Sequence, residues 1–309
     1  MAKDEEKKMV GINEVNNGFS MLVEGIKNEV RDFIKEEYGP LERKIITTVD
    51  GKKRMTKGFV HKEFDTVLKL VSNNIPVFLS GPAGCGKNYI CKQIADSLGL
   101  KFYFSNAITQ EYKLTGFTDA NGKYQETQFY KAFTTGGLFM LDEVDASIPE
   151  VLLILNAAIA NGYFDFPAPI GYVKAHPNFR IVAAGNTSGH GATYEYTGRC
   201  RLDGSSLDRF SFVHIDYDMK IEDSLAAGND QISKFCREFR NVADRVGVDI
   251  IVSYRAIEML AKTMPIMDLD EALKICLVKD LTKDDLGLII GELSTSKFKP
   301  ALERVYSGM

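Results

Sequence analysis

The stretch VFLSGPAGCGKN, from Val77 to Asn88, decides how this chain is read. An apolar run with strand character ends in a glycine-rich turn closed by Gly86 and Lys87. Glycines let backbone N–H groups converge on phosphate oxygens, a following helix turns its positive end toward them, and a lysine reaches the β- and γ-phosphates. Gly81, Pro82, Ala83, Gly84, Cys85, Gly86, Lys87, Asn88 and Tyr89 are therefore the candidate triphosphate cradle. The position after the lysine is ordinarily Ser or Thr, whose hydroxyl holds Mg²⁺. Here it is Asn88. Its carboxamide oxygen is a suitable donor for a hard cation, but the side chain is longer and has no hydroxyl. The expectation is that nucleotide binding survives while turnover is slow.

Working outward, short apolar runs alternate with helical patterns. A helix is expected over about Lys62–Ser72, a strand over Pro76–Leu79, a helix over Lys87–Leu98 and a strand over Lys101–Ser105. Leu138–Leu141 reads as a buried strand, Pro149–Ala160 as a helix, and Phe179–Gly185 and Phe210–Tyr217 as two further strands. This alternation predicts an α/β fold with a parallel sheet covered on both faces. After Asp218 the pattern is mainly helical, which places a boundary near residue 220. The expected domains are 1–58, a helix and a hairpin; 59–220, an α/β nucleotide-binding core; and 221–309, a small α-helical lid with a tail.

Chemistry-bearing residues fall where parallel strands end. Leu138-Phe139-Met140-Leu141 is followed by Asp142 and Glu143, which puts two carboxylates in the ligand crevice. Asp142 suits Mg²⁺, directly or through water, and Glu143 suits a base that polarises an attacking water. Asn186 ends the next strand, where an amide orients the water or reads the γ-phosphate; standing alone, such an Asn is a turn residue. Arg209, in Ser206-Leu207-Asp208-Arg209-Phe210, is either a guanidinium donated to a neighbouring subunit's nucleotide or the partner of Asp208 in a surface salt bridge. Arg199 and Arg201 compete for the same task. Arg255 opens a helix at Ser253-Tyr254-Arg255-Ala256, placed either to touch the γ-phosphate or to be solvated.

Composition bounds the rest. The 309 residues allow one large or two modest domains, and 45% hydrophobic content is enough for a sizeable core. A net charge of −4 gives no global pull toward nucleic acid, so any such contact is local. Five dispersed cysteines lack metal-ligand spacing and read as reduced thiols. No apolar run approaches the ~18–20 residues of a membrane span, and the charged start MAKDEEKKM is not a signal segment. Asn13–Tyr38 reads as an amphipathic helix, either packed on its own domain or docking a partner. Lys44–Val60 reads as a hairpin around Asp50-Gly51, its basic tip (Lys52, Lys53, Arg54, Lys57) either solvated or in contact with a partner or nucleic acid.

The ordered set GPAGCGKN, LFMLDE, VAAGN, SLDRF and SYRA resembles AAA+ ATPases, specifically the MoxR-like and dynein-related branch. That branch includes the ATPase subunit of cobalt chelatase and members encoded by bacteriophages. The resemblance covers roughly Phe59–Leu260. It implies a P-loop AAA+ core with a parallel sheet and a helical lid, using ATP and Mg²⁺. It implies that Lys87 is the phosphate lysine, Asp142 and Glu143 the acidic pair, Asn186 the first sensor, Arg209 the arginine finger and Arg255 the second sensor, in cis or in trans. It also implies a homo-oligomer, a hexameric ring, acting in the cytoplasm of a bacterium or of a phage host.

Two segments fit the branch's hairpins facing a central pore: Glu111–Gly136, with a turn at Asn121-Gly122, and Gly162–Phe179. In the second, Tyr163, Phe164, Phe166, Tyr172 and Lys174 either grip a polymer or simply pack. Three functions follow: an ATP-driven machine remodelling a separate protein client or adaptor, a ring motor or loader on nucleic acid, and an ATP-dependent scaffold with slow or no hydrolysis.

Overall fold

The computed structural model describes residues 44–49, 52–193, 196–279, 281–294 and 296–309, with side chains from residue 58 onward. The expected helix over Asn13–Tyr38 and the Asp50-Gly51 turn lie outside the described residues. The described chain opens with an antiparallel hairpin, β1 (Lys44–Val49) against β2 (Lys52–Lys57), with Val49 opposite Lys52. Then come α1 (Phe64–Ser72), β3 (Val77–Ser80), α2 (Lys87–Leu98) and β4 (Phe102–Ser105). Next are the single turn α3 (Tyr112–Thr115), the two-residue strands β5 (Phe117–Thr118) and β6 (Tyr124–Gln125), α4 (Gln128–Thr135) and β7 (Gly137–Leu141). Helix α5 (Glu150–Asn161) leads to a second hairpin, β8 (Tyr163–Phe166) and β9 (Gly171–Lys174). Strand β10 (Phe179–Gly185), the short α6 (Gly204–Leu207) and β11 (Ser211–His214) complete the α/β part.

Five strands pair in the order β11-β3-β10-β7-β4, every neighbour parallel. Register is fixed by the period of two along each strand. Val77 and Leu79, Leu138 and Met140, and Val182 and Ala184 all face one apolar layer, beneath Val67 and Val71 of α1 and Ile90 and Ile94 of α2. Phe78, Phe139, Leu141, Ile181 and Ala183 face the other, beneath Phe129 and Phe133 of α4 and Leu152 and Leu155 of α5. Val182 sits beside Val77 on one side and Met140 on the other. Burial on both faces explains why these strands read as continuous apolar runs rather than alternating ones.

The ends of α2 are set by glycine. Gly86 precedes it and Gly99 follows it, both left-handed, and the Leu100 and Gly99 N–H groups close back on Ala95 and Asp96. The expected start of α1 at Lys62 moves to Phe64 because His61 is tied elsewhere. Its Nε2 lies 2.7 Å from the Asp216 carbonyl, and its Nδ1 accepts from the Glu63 N–H.

The hairpin with aromatics expected either to grip a polymer or to pack is divided by its own alternation. Phe164 and Phe166 are buried against Phe129, Phe133 and Phe179, so they are core residues and are not available to grip. Tyr163 and Tyr172 point outward, exposed and stacked at 5.0 Å, with Lys174 exposed beside them. The hairpin with Gly122 at its turn is shorter than its 26-residue segment suggested, only two residues per strand, and its Thr118 hydroxyl meets the Ala168 carbonyl of the second hairpin.

From residue 219 the chain is helical: α7 (Met219–Leu225), α8 (Asp230–Val246), α9 (Tyr254–Thr263), α10 (Leu269–Leu273), a π-turn at Lys274–Val278, α11 (Lys283–Glu292) and α12 (Lys299–Gly308). Helix α8 shows why. Asn229 caps it by accepting from the Gln231 N–H, a left-handed Gly247 stops it, and Ile232, Phe235, Cys236, Phe239, Val242 and Ala243 form one apolar stripe. That stripe belongs to a third apolar cluster running from Ala226 to Val305. No helix among the described residues is long and apolar enough to cross a membrane.

Candidate functional site

Three adjacent strands, β3, β10 and β7, carry the predicted residues at their carboxyl ends. The glycine-rich loop leaves β3, Asn186 leaves β10, and Asp142 and Glu143 leave β7. From β3 the chain crosses to β4 at one edge of the sheet and from the adjacent β10 to β11 at the other, and such a reversal is where open α/β sheets form a ligand crevice. The loop itself needs glycine for space as well as torsion. At Gly81, with φ +152°, a Cβ would fall 1.9 Å from the Ile215 carbonyl oxygen.

Lys87, at the start of α2, is buried, and its ammonium is fully engaged. Nζ donates to the Gly81 carbonyl at 2.7 Å, the Pro82 carbonyl at 3.0 Å and Asn186 Oδ1 at 3.0 Å. The structure thus brings the phosphate-lysine candidate and the strand-end Asn into direct contact. Burial pushes the Lys87 pKa down, an effect offset by Cys85, Asp142 and Asp145. Asn88 is exposed, and its carboxamide lies close enough to the Asp142 carboxylate to favour the ionised form. Asp142 also accepts the Glu143 N–H at 2.9 Å. Burial nevertheless raises the Asp142 pKa, against the lowering influence of Asn88, the Glu143 N–H and Lys87.

Glu143 is the non-glycine residue of the site with positive φ, at +50°. Left-handed backbone at such a residue is uncommon and persists only where surroundings over-determine it. Here the chain turns directly into the short 3₁₀ segment Val144–Ala146, which places Asp145 inside the protein. Asp145 is fully buried. Its Oδ2 accepts the Asn186 N–H at 3.0 Å, the Thr187 N–H at 2.8 Å and the Thr187 hydroxyl at 2.9 Å. Its Oδ1 accepts from Arg199 Nη1 at 3.2 Å, and its main-chain carbonyl accepts the Cys200 N–H at 2.6 Å. Arg199 Nη2 lies 3.4 Å from Glu143 Oε1. Arg199, read from sequence as a competitor of Arg209, therefore points into its own chain. Arg201 is exposed and forms an isolated β-bridge with His190.

Arg209 is exposed and, among the described residues, forms no ion pair with Asp208. The structure does not bring it to the loop of its own chain. It follows α6, whose Ser206 is fully buried and accepts from Asn156 at 2.7 Å, so the arginine projects from a fixed base. Arg255 is exposed at the start of α9, whose end packs against the loop. A Cβ at Gly84 would fall 2.8 Å from Ser253 Cβ and 4.0 Å from Arg255 Cδ, and one at Gly86 would fall 3.4 Å from the Tyr254 ring. Two further tyrosines hold the loop: Tyr196 Oη accepts the Ala83 N–H at 3.0 Å, and Tyr217 Oη donates to the Ala83 carbonyl at 2.9 Å. Beside the loop a cavity of about 500 Å³ is lined by Ser80, Pro82, Asn186, Thr187, His190 and His214.

Residues 76–197 match the AAA domain of the dynein-related subfamily. Over this span the chain carries an AAA domain. Such a domain is a nucleotide-binding ATPase module, in keeping with a glycine-rich loop, an acidic strand end and a polar strand end set on adjacent parallel strands. Among relatives, an uncharacterized protein of Staphylococcus aureus (strain USA300) is 26% identical over 246 residues, covering 71% of this chain and 89% of the relative. Its counterpart in strain NCTC 8325 is 25% identical over the same span. Among solved structures, NtrX from Brucella abortus aligns with 19% identity and a TM-score of 0.46, over 78% of this chain but only 59% of NtrX. A RuvB point mutant from Thermotoga maritima aligns with 17% identity and a TM-score of 0.37, over 80% of this chain and 68% of RuvB. These two structural likenesses are too distant to inform function.

Sequence reasoning missed two parts of the AAA+ site: Asp145 as the hub, and the inward role of Arg199. The available signal was the third acid of Leu141-Asp142-Glu143-Val144-Asp145, set among apolar residues where a solvated acid is not expected. A pH dependence follows from Asp142. Its folded pKa lies above the unfolded value, so ionised Asp142 opposes folding above that folded pKa, and the penalty vanishes below the ordinary carboxylate range near ~4. In buffer free of nucleotide and Mg²⁺, Asp142→Asn should melt at a higher temperature than wild type near neutral pH. The gap should close as pH falls toward ~4. A gap that is absent or independent of pH contradicts this assignment.

Proposed function

We propose that this protein is a Mg²⁺-dependent ATPase of the MoxR-like kind, assembled as a ring, that uses ATP to remodel or assemble a separate protein partner. The observation that carries the reading is the convergence of Lys87 and Asn186, 3.0 Å apart, beside the acidic end of β7. The AAA+ core extends over about residues 59–220, and the helical lid, with its own apolar cluster, over 221–309.

In this reading Lys87 binds the β- and γ-phosphates, moving from the Gly81 and Pro82 carbonyls to phosphate oxygens. Glu143 orients the attacking water and takes its proton, while Asn186 fixes the water against the γ-phosphate. Asn88 and Asp142 would hold Mg²⁺. Their donors are oxygens, the type that ion takes, and they are already in contact with each other. The described residues include no cluster of three or more His, Cys, Asp or Glu able to hold a metal, and in this reading phosphate oxygens and water would complete the ion's ligands. Bound there, Mg²⁺ supplies charge neutralisation across the phosphates. Arg209 is supplied by the neighbouring subunit, which fits its exposure and its lack of an Asp208 pair. In this reading Arg255 acts in cis, which the place of its side chain beside Gly84 of its own loop supports.

Hydrolysis then alters both the subunit interface at Arg209 and the loop–α9 contact at Arg255. The stacked pair Tyr163 and Tyr172 is the surface offered to the client.

Mixing subunits tests the shared site. Arg209→Ala and Glu143→Gln should each be inactive alone, and an equimolar mixture should regain turnover where an intact Glu143 meets an intact Arg209 from its neighbour. No recovery in mixed rings contradicts a donated Arg209. A second variant tests the metal side. Asn88→Thr should lower the Mg²⁺ concentration needed for half-maximal turnover and raise the turnover number; unchanged values would remove Asn88 from the metal site.

A further inference from the structure

We infer that Arg199 is a positioning residue of the hydrolytic centre, acting within its own subunit by fixing the Glu143 carboxylate to the buried Asp145. The inference rests on the ATPase reading above and assigns a residue which that reading leaves without a role.

The guanidinium spans two carboxylates with two different nitrogens: Nη1 to Asp145 at 3.2 Å and Nη2 to Glu143 at 3.4 Å. Exposure falls steeply along this chain of contacts, with the side chains of Glu143, Arg199 and Asp145 being 40%, 12% and 0% accessible. The outer carboxylate would be mobile by itself, and the inner one cannot move. Asp145 is pinned from the other side by Asn186 and Thr187, so the reference against which Glu143 is held is the end of β10 itself. Glu143 and Asn186 both address the attacking water in the proposed mechanism. Through Asp145 and Arg199 they are fixed relative to each other, although they leave different strands.

The segment bearing Arg199 is built to hold it. The Cys200 N–H donates to the Asp145 carbonyl at 2.6 Å, and the Leu202 N–H donates to the Gly189 carbonyl at 2.9 Å. The Arg199 guanidinium lies 5.9 Å from the Tyr196 ring, whose hydroxyl in turn meets the Ala83 N–H of the phosphate loop. An arginine so enclosed is not available to reach a neighbour, in contrast to the exposed Arg209. The planar fork is what makes arginine suitable, because a lysine ammonium on a single stem does not present two separated donors in one plane.

Removing the charge would leave Asp145 buried without its cation, which risks the fold. The informative variant is therefore Arg199→Lys, which keeps a cation beside Asp145 and gives up the fork to Glu143. It should fold, with a melting temperature near wild type and ATP affinity within about twofold, yet lose about 10–100-fold in kcat, the scale of a misplaced catalytic group. In the Glu143→Gln background the same change should leave ATP binding as it was. Mixing Arg199→Lys with Glu143→Gln should restore no turnover, since neither subunit then contains both groups. A wild-type kcat in Arg199→Lys overturns the inference, as does an ATP affinity lost in step with kcat. Recovery on mixing also overturns it, because Arg199 would then be acting on a neighbour. Wild-type protein that binds ATP and never hydrolyses it overturns the ATPase reading as well. Wild-type turnover with an unaffected Arg199→Lys overturns only the role of Arg199.

Discussion

The buried carboxylate of Asp145 is the constraint around which the candidate site is arranged. An ionised group taken out of water costs several kcal/mol unless it is paired and its lone pairs are satisfied. Asp145 meets that demand with two N–H groups and a hydroxyl from the end of β10 and a guanidinium from the segment before α6. Each donor comes from a part of the chain distant in sequence. The carboxylate is satisfied only when β7, β10 and the Arg199 segment are together, and this same condition brings Asn186 to Lys87 and Arg199 to Glu143.

A second set of contacts joins the phosphate loop to the helical part. Ser253 and Tyr254 press on Gly84 and Gly86, and Tyr217 holds the Ala83 carbonyl. Tyr217 is itself covered by Arg240 of α8, whose guanidinium lies 3.9 Å from the ring centre and is bonded to the buried Glu222 and to the Val252 carbonyl. The Tyr254 hydroxyl accepts the Asp218 N–H where the sheet part gives way to α7. Packed rings and backbone hydrogen bonds thus form a continuous line of contact from the loop to α8 and α9. The region beyond residue 219 is in this way in contact with the glycine-rich loop, although its apolar cluster is its own.

Much of this was legible in the sequence because it is encoded locally. Strand β10 and helix α2 fall on their expected bounds, the first a continuous apolar run and the second flanked by glycines. Asp142, Glu143 and Asn186 were singled out because they directly follow such a run, and Lys87 because it closes the glycine-rich turn after one. What escaped was determined by tertiary contact. The apolar neighbours Val144 and Ala146 are the one local mark of a buried Asp145, and nothing local turns Arg199 inward while leaving Arg209 outside. Alternation in β8 did carry a readable signal, since Tyr163 and Asp165 alternate with Phe164 and Phe166. Which set faced the core was decided by the aromatic surroundings supplied by α4 and β10.

The central claim is an ATP-hydrolysing site completed by a neighbouring subunit. Steady-state Mg²⁺-ATP hydrolysis measured against protein concentration, with Glu143→Gln as the blank, tests it most directly. The account predicts turnover that rises faster than linearly with concentration and is absent from the variant. ATP binding without turnover above the blank at any concentration would contradict it.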